Sequence, residues 1–229
     1  MDGEQSAVVE VRSLQMLPII YSASMIQARR EGRKTQTRRV FTYRHWADRI
    51  GMHEMQSVYP DGGGNWIWWT HDSPEHAAKT LAYYPNGEGV RCPYGRPGDT
   101  LWVREGHALV PASMYRHRTD IVQTSNPTNP EEVCIYRAEW EQDAPAILWR
   151  SPIFLPRWAA RDVSRVTHVQ PGRLQAITEA DALHEGCESR DAFAHVWDAI
   201  HRRAPESQWA QNPWIWAITH PYAGQTSGE

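Results

Sequence analysis

Lys34 and Thr37 are the two residues whose types and spacing best suit chemistry in this chain of 229 residues. Both lie in the basic run GRKTQTRR at positions 32–39. A threonine hydroxyl becomes a nucleophile when a neighbouring group takes its proton. A lysine can take it when burial or nearby cations lower its pKa, and the three arginines of the run are such cations. The same cluster could instead hold a phosphate, and a third interpretation is a solvated turn followed by threonines in a strand.

A carboxylate would complete a catalytic site, either by orienting the lysine or by protonating a leaving group. Other familiar templates are missing from the sequence, which has no GxxxxGK[ST] or GxGxxG loop, no HExxH and no GxSxG nucleophile elbow. Its eleven histidines are scattered without the spacing of metal ligands. We therefore expect neither a metal centre nor a cofactor.

Composition narrows the class of protein. The formal net charge of -3 differs from the strong basicity of proteins that wrap duplex nucleic acid, so any such affinity must come from a local patch. This charge favours a small ligand. Three scattered cysteines, Cys92, Cys134 and Cys187, fit neither a disulfide framework nor a zinc site. With an acidic, polar start and no apolar run of about 20 residues, we expect a cytoplasmic protein without a membrane span or signal peptide.

The domain organisation is expected to be simple. Residues 1–15 read as a flexible lead-in and residues 223–229 as a tail, which leaves a single domain over 16–222. Two polar, turn-rich stretches, at about 42–97 and at 119–131, are interpreted as inserted loops. A short hairpin is expected in the first of them.

A helix and a strand must position the lysine and the threonine. The sequence predicts a short strand at 17–21 and then a helix capped by Ser22 or Ser24. Gly32 stands where a left-handed residue commonly ends a helix. The chain would leave this turn as an extended segment at 35–41. Residues three apart in a regular strand face opposite sides, so the bend is needed for the two side chains to converge.

The other predicted elements are short strands and short helices, which indicate an α+β fold built as a small mixed β-barrel. One helix is expected to begin at Thr178 and end at Gly186, and another to begin at Ser189. Four apolar residues of the second helix follow the 3.6-residue period and are expected to face the core. These are Phe193, Val196, Trp197 and Ile200, and further strands are predicted at 101–105, 134–139, 160–169 and 213–218.

Gly32, Lys34, Thr37 and Arg39 resemble the GxKxx[ET]xR signature of ASCH domains, a family with a PUA-like β-barrel fold. Most members carry Glu where this chain has Thr. The run GRKTQTRR resembles the GRKTxTxR run of small bacterial ASCH amidohydrolases that hydrolyse N4-acetylcytidine. For those enzymes the resemblance implies a catalytic triad formed by the motif lysine, the motif threonine and a later glutamate.

That glutamate lies in a short helix that follows an L/I-T-E start, and the same spacing in ITEADALHE, residues 177–185, falls on Glu185. GDTLWV at 98–103 resembles the GDxLxV strand of the family, and WIWAI at 214–218 resembles its closing strand. The chain also resembles larger ASCH proteins of bacteriophages and prophages. Those proteins share the segments seen here as CPYGRPGDTLWVRE at 92–105 and LPRWA at 155–159.

The resemblance implies a mechanism in which Lys34 accepts the proton of Thr37, and Thr37 attacks the acyl carbonyl on the N4 nitrogen. Glu185 would position the lysine and help to protonate the departing amine. Backbone N–H groups of the glycine turn, or an arginine, would stabilise the oxyanion. The expected substrate-binding residues are Arg33 and Arg39 for charge, and Trp102, Trp158 or an aromatic residue of 66–69 for stacking on the pyrimidine.

Other functions stay open on the sequence alone. PUA-like domains commonly bind RNA or a modified base, so the chain could be a module that binds RNA, single-stranded DNA or a modified base without hydrolysis. A ribonuclease that uses the same basic cleft without metal is a third hypothesis, and a structural phage protein is a fourth.

Overall fold

The computed structural model is a mixed α+β structure of short strands and short helices, which confirms the α+β part of the predicted fold. The strands are β1 Met16–Ile20, β2 Gln36–Val40, β3 Ser57–Pro60, β4 Trp66–Trp69, β5 Thr100–Arg104, β6 His107–Pro111, β7 Gln123–Asn126, β8 Asn129–Tyr136, β9 Val163–Arg165, β10 His168–Arg173 and β11 Trp214–Thr219. The α-helices are α1 Ala23–Arg30, α2 Ala112–Tyr115, α3 Glu179–His184 and α4 Arg190–Ile200. The residues described are 13–41, 92–115, 118–140 and 147–223, with the backbone of 57–60 and 66–69.

Two three-stranded sheets position the site. One has the order β1-β5-β9, with β1 parallel and β9 antiparallel to β5. The other, β10-β11-β2, is antiparallel throughout and pairs Thr37 with Ile218. A third sheet has the order β6-β8-β7, and β3 and β4 form the predicted hairpin. Within the described ranges these sheets are open, and the strands do not join into one closed barrel.

A two-residue corner joins the first two sheets. The Val166 N–H donates to the Asp99 carbonyl beside the first sheet, whereas the Thr167 N–H donates to the Thr219 carbonyl of the second. The strand predicted over 160–169 is therefore broken there into β9 and the start of β10. Consecutive peptide groups satisfy their hydrogen bonds on different sheets, so the chain turns the corner without leaving a buried donor unpaired.

One hydrophobic core lies between these two sheets. Ile19 and Leu101 enter it from the first sheet, Trp216 and Ile218 from the second, and Ile26 from α1. Each is almost completely buried, and burial of one such side chain stabilises the fold by about 1.5–3 kcal/mol. The core holds β2 against β11 and so fixes the strand that carries Thr37.

The turn between α1 and β2 forms as predicted. Ser22 caps α1 by accepting from the Met25 N–H. Gly32 has a φ of +74°, the left-handed conformation expected at a helix end, and its N–H donates to the Arg29 carbonyl at 2.9 Å. Lys34 then forms an isolated antiparallel bridge with Glu185.

The helices near the C-terminus also begin where predicted. Thr178 and Asp181 form a reciprocal capping box at the start of α3, and Ser189 caps α4. Gly186 ends α3 with a φ of +85°. A Cβ atom there would lie 2.8 Å from the Ala28 Cβ, so this close approach of α3 to α1 requires glycine.

The core face predicted for α4 is wrong at two positions. Phe193 and Trp197 are buried, but Val196 is 41% and Ile200 53% exposed. Only one narrow stripe of this helix packs against its neighbours, and both exposed residues lie beside that stripe. Local periodicity identifies the apolar side of a helix but not the width of the contact.

The loop predicted at 119–131 is also wrong, because β7 and the start of β8 form a hairpin there. Its turn is held by Asn126, whose side-chain oxygen accepts from the Thr128 N–H at 3.0 Å. The residues of β7 are polar because it is an edge strand of its sheet, so no apolar alternation marks it. The strand predicted at 134–139 ends at Tyr136, and Arg137–Glu139 is a 3-10 helix.

Most of the other predicted insertion, at about 42–97, lies outside the described residues, as do 1–12 of the lead-in and 224–229 of the tail. No helix in the described part of the chain has the length and apolar character needed to cross a membrane.

A buried arginine joins the two sheets to α1. Arg29 is fully buried and donates to both carboxylate oxygens of Asp162, at 2.5 and 2.9 Å. It also donates to the Ser164 hydroxyl at 3.1 Å and to the His220 carbonyl at 3.0 Å. Arg29 therefore connects α1 to the segment around β9 and to the residue that follows β11.

Replacing Arg29 with alanine is expected to cost about 3–5 kcal/mol of unfolding free energy, because it leaves the Asp162 carboxylate buried without its cation. Urea denaturation measures this cost. The matched control is Arg118→Ala, which breaks an exposed pair with Asp120 and is expected to leave the midpoint unchanged. Equal midpoints for the wild type and Arg29→Ala would contradict this account of the corner.

Candidate active site

Lys34 is the centre of the site, and its side chain is completely buried. Its Nζ donates to Glu185 Oε2 at 2.8 Å, to the Glu185 carbonyl at 2.9 Å and to the Gln36 carbonyl at 3.0 Å. These three acceptors match the three protons of an ammonium group. Burial lowers the pKa of Lys34 below its ordinary value, against the opposing effect of the Glu185 carboxylate.

Glu185 is held between two cations. It is the last residue of the turn that ends α3, and the bridge between positions 34 and 185 sets its backbone beside β2. One carboxylate oxygen accepts from Lys34, and the other accepts from Arg38 at 3.1 Å. Arg38 also pairs with Asp181 at 3.2 Å. The structure thus brings together Lys34 and Glu185, which the sequence comparison had only aligned by spacing.

Thr37 lies one strand position before Arg38 and is also buried. Burial raises the pKa of the Tyr21 phenol, and the Thr37 side chain is one of the neighbours that oppose this rise. The Lys34 Nζ lies 5.2 Å from the centre of the same Tyr21 ring. The three acceptors of Lys34 described above do not include the Thr37 hydroxyl. The predicted base and nucleophile are therefore both near Tyr21, and no direct hydrogen bond joins them in this state.

A small cavity of about 40 Å³ opens beside these residues. This volume holds a water molecule or a small acyl group, whereas complete ligands of drug size need about 300 Å³ or more. A nucleoside would therefore place only its acyl group inside. The lining includes the floor residues Thr37, Arg38, Arg39 and Glu185, and a wall formed by Met25, Cys187, Phe193, Val196, Trp197, Ile200 and His201.

Arg39 lines this cavity, and one of its donors is unpaired among the described residues. Its terminal NH2 nitrogen donates to the Ile20 carbonyl at 2.7 Å, and its guanidinium lies 5.5 Å from the centre of the Tyr21 ring. The Arg39 Nε is buried and has no hydrogen-bond partner among the described residues. A buried donor without an acceptor is costly, so a ligand oxygen that accepts from it would be favoured.

Cys187 lines the cavity as well, but its thiol is not suited to attack. Burial, followed by the Glu185 carboxylate, raises the pKa of Cys187 above its ordinary value. Because the thiolate is the reactive form of cysteine, this shift disfavours attack by Cys187. The threonine is thus the better candidate for a nucleophile in this cavity.

Three predicted substrate-binding residues do not line this cavity. Arg33 is about half exposed, pairs with Glu31 and donates to the Gly186 carbonyl at 3.1 Å. Trp102 is buried on β5 beneath the Arg104 guanidinium, and Trp158 packs against the cluster that contains Leu155. Side chains of 66–69 lie outside the described part of the structure.

Sequence reasoning missed the aromatic wall. Trp197 and His201 lie one helical turn apart near the end of α4, and their rings stack with centroids 4.2 Å apart. The Trp197 indole N–H donates to the Ser207 carbonyl at 2.7 Å, which fixes the ring. Their spacing of four residues on one helix is the signal that could have identified them as a pair.

A second, larger cavity of about 330 Å³ is lined by charges that satisfy one another. Arg161 donates to both carboxylate oxygens of Glu105 at 2.7 Å each and to Glu139 at 2.8 Å. Lys34 and Thr37 do not line it, so we place the candidate site at the smaller cavity. The larger cavity is lined by Ile26, Arg30, Glu105, Val122, Arg161, Asp162 and Tyr222.

The chain matches no protein-family model, no curated protein and no solved structure. The ASCH resemblance therefore depends on the motif residues alone. Within the described ranges, no group of three or more His, Cys, Asp or Glu side chains could hold a metal ion.

Replacing Lys34 with methionine is expected to remove a pH-dependent part of the stability. Burial lowers the pKa of Lys34 in the folded chain, so between that pKa and the ordinary value the unfolded chain binds more protons. The stability of the wild type relative to Lys34→Met should therefore rise as the pH increases through this window. Urea unfolding of both proteins from about pH 7 to pH 11 measures the difference.

The control is Arg33→Met, which changes an exposed neighbour and should give a difference that does not vary with pH. A difference that falls with rising pH would mean that the Glu185 carboxylate outweighs burial and raises the pKa of Lys34.

Proposed function

We propose that this chain is an amidohydrolase that removes an acyl group from the N4 amine of cytidine or a related cytosine derivative. The observation that carries the proposal is the lining of one small cavity by Glu185, Thr37 and Arg39, with Lys34 buried against Glu185. These positions are also the ones that resemble the ASCH amidohydrolases. On the same resemblance we propose that the two joined sheets are part of a PUA-like fold.

In the first step, Thr37 Oγ1 attacks the acyl carbon and a carbon–oxygen bond forms. The carbonyl electron pair moves to the oxygen, which accepts a hydrogen bond from Arg39 Nε. The threonine proton goes to Lys34, which must first be neutral. Burial lowers the pKa of Lys34 and so favours the neutral form.

In the second step, the bond between the acyl carbon and N4 breaks. The new Lys34 ammonium gives its proton to N4, so the cytosine leaves as a neutral amine. Glu185 holds the lysine in place through both steps. Water then attacks the acyl-enzyme, the lysine takes the water proton, and Thr37 regains its own when the acid leaves.

The cavity also limits how the substrate lies. A volume of about 40 Å³ accommodates the acyl group, so the pyrimidine ring must remain at the opening. The ring of His201, stacked on Trp197, lines this cavity and gives the pyrimidine a flat surface. This pair replaces Trp102 and Trp158 as the proposed stacking residues.

Purified protein incubated with N4-acetylcytidine is expected to release cytidine, which chromatography follows directly. Thr37→Val, which removes the hydroxyl at nearly constant shape, should lower kcat by about a thousandfold or more. Thr37→Ser should keep part of the activity, because it retains a nucleophile. Arg33→Ala is the matched control within the motif and should remain active. Undiminished turnover by Thr37→Val would exclude the nucleophile assignment.

The catalytic efficiency, kcat/KM, should increase with pH. Because only neutral Lys34 accepts the proton, kcat/KM is expected to rise with pH until the lowered pKa of Lys34 is passed and then to level off. Thr37→Ser should show the same profile at a lower rate, since its base is unchanged. A rate that declines as the pH rises would exclude a lysine base.

One observation favours a second function. Lys34 directs its three protons to oxygens other than the Thr37 hydroxyl, as a purely structural lysine would. The site would then bind a modified base or single-stranded nucleic acid without hydrolysis. Isothermal titration with N4-acetylcytidine, and with short RNA at low and high salt, distinguishes the two functions, because binding without product formation supports only the second.

A further inference from the structure

We propose that Arg38 and Asp181 are positioning residues that hold the Glu185 carboxylate between two cations and so set the pH at which Lys34 can accept a proton. This inference rests on the proposed function, because there Lys34 is the base. Neither residue is among the hydrogen-bond partners of the Lys34 ammonium, so both act through Glu185.

The four side chains form a row of alternating charges. Lys34 Nζ donates to Glu185 Oε2 at 2.8 Å, and one terminal nitrogen of Arg38 donates to Oε1 of the same carboxylate at 3.1 Å. The other terminal nitrogen of Arg38 lies 3.2 Å from Asp181 Oδ2. The first three side chains are each at most 7% exposed, whereas that of Asp181 is 28% exposed. Most of this charge row is therefore shielded from water.

Helix α3 and strand β2 place these groups. Asp181 and Glu185 are four residues apart, so both carboxylates lie on one side at the end of α3. Arg38 and Gln36 are two residues apart on β2 and face the same side of it, and Arg38 also donates to the Gln36 side-chain oxygen at 3.3 Å. Asp181 is itself fixed, because the Thr178 N–H and hydroxyl donate to its Oδ2 at 3.1 and 2.9 Å. The guanidinium thus has ordered acceptors on both elements.

A second cation on the carboxylate makes Lys34 easier to deprotonate. A carboxylate stabilises a neighbouring ammonium and so raises its pKa. Arg38 stays charged over the whole working pH range, so it offsets part of the Glu185 charge and repels the Lys34 ammonium. Glu185 can then hold the lysine by a hydrogen bond without strongly favouring its charged form. Asp181 has the reverse effect at one remove, because it offsets part of the Arg38 charge.

Other titratable and charged groups face Lys34 from several elements. They are Tyr21 after β1, Arg29 of α1, Arg39 of β2, Cys187 after α3 and His220 after β11. Burial raises the pKa of the phenol and of the thiol and lowers that of the imidazole to about 2, so all three favour their neutral forms. The two arginines remain charged. Arg38 differs from them in binding the carboxylate that holds Lys34.

The kinetic test compares Arg38→Gln with the wild type from about pH 6 to about pH 10. Without the guanidinium, Glu185 and Asp181 both stabilise the Lys34 ammonium, so the rise of kcat/KM should move to higher pH. Below the pH at which the wild type reaches half its plateau, we expect kcat/KM to be about tenfold lower, and at higher pH the two proteins should converge. Arg38→Lys keeps a cation and should return the profile towards that of the wild type. A loss of equal size at every pH would overturn the proposal, because it would indicate a substrate contact or a purely structural role.

Asp181→Asn should move the profile in the opposite direction. Asparagine keeps the side-chain oxygen that caps α3 but leaves Arg38 less neutralised, so kcat/KM below the half-plateau pH should rise about twofold. The effect is smaller because Asp181 is partly exposed. Arg33→Gln, which changes an exposed arginine of the same run, is the matched control and should keep the wild-type profile. Movement of Arg38→Gln and Asp181→Asn in the same direction would overturn the proposal.

A second readout does not need activity. The chain contains two lysines, Lys34 and Lys79, so protein labelled with ¹³C at the lysine Cε gives two signals, which Lys79→Arg assigns. The titration midpoint of the Lys34 signal should move up in Arg38→Gln, move down in Asp181→Asn and stay in place in Arg33→Gln.

An unmoved Lys34 midpoint in Arg38→Gln would overturn the inference. Should that variant fail to fold, the midpoint in Asp181→Asn decides in the same way. The expected midpoints without turnover of N4-acetylcytidine would instead reject the proposed function and leave the effect of Arg38 on Lys34 in place.

Discussion

The buried contact between the Lys34 ammonium and Glu185 is the interaction on which the site depends. A charge removed from water must find oxygens, and Lys34 finds all of them in its own turn and at the end of α3. The contact requires both backbones to approach closely, which the left-handed glycines 32 and 186 permit. The charge pair and the two turns are therefore parts of one local arrangement.

Arg29 is also a buried cation that is satisfied by hydrogen bonds to several segments of the fold. It is the second fully buried cation near the end of α1, and its partners lie on the segments around β9 and after β11. Buried ion pairs add little net stability over apolar packing, but they tolerate few alternative arrangements. The two cations thus favour one arrangement of the elements around them, and the hydrogen bond from Arg29 to the His220 carbonyl holds the end of β11 beside α1.

Local signals predicted much of this arrangement. Helix caps at Ser22, Thr178 and Ser189 and the glycine turns depend on neighbouring residues, so the sequence carries them directly. Glu185, the partner of Lys34, was predicted only from the resemblance of residues 177–185 to a segment of the ASCH amidohydrolases. The aromatic wall and the buried contacts of His220 were missed because a side chain's contacts depend on which elements pack together. Trp102 and Trp158 were placed at the site for their chemistry, but packing beneath Arg104 and beside Leu155 decides their location.

The bridge between Lys34 and Glu185 joins positions 151 residues apart, and the contact between Tyr21 and His220 joins positions 199 apart. Contacts of such long sequence separation form late, because the intervening chain must first be ordered. During synthesis Lys34 leaves the ribosome long before Glu185 has been made. Until then its side chain stays hydrated and charged. The buried arrangement of Lys34, Glu185 and Thr37 therefore forms only after the C-terminal segments of the chain have been made.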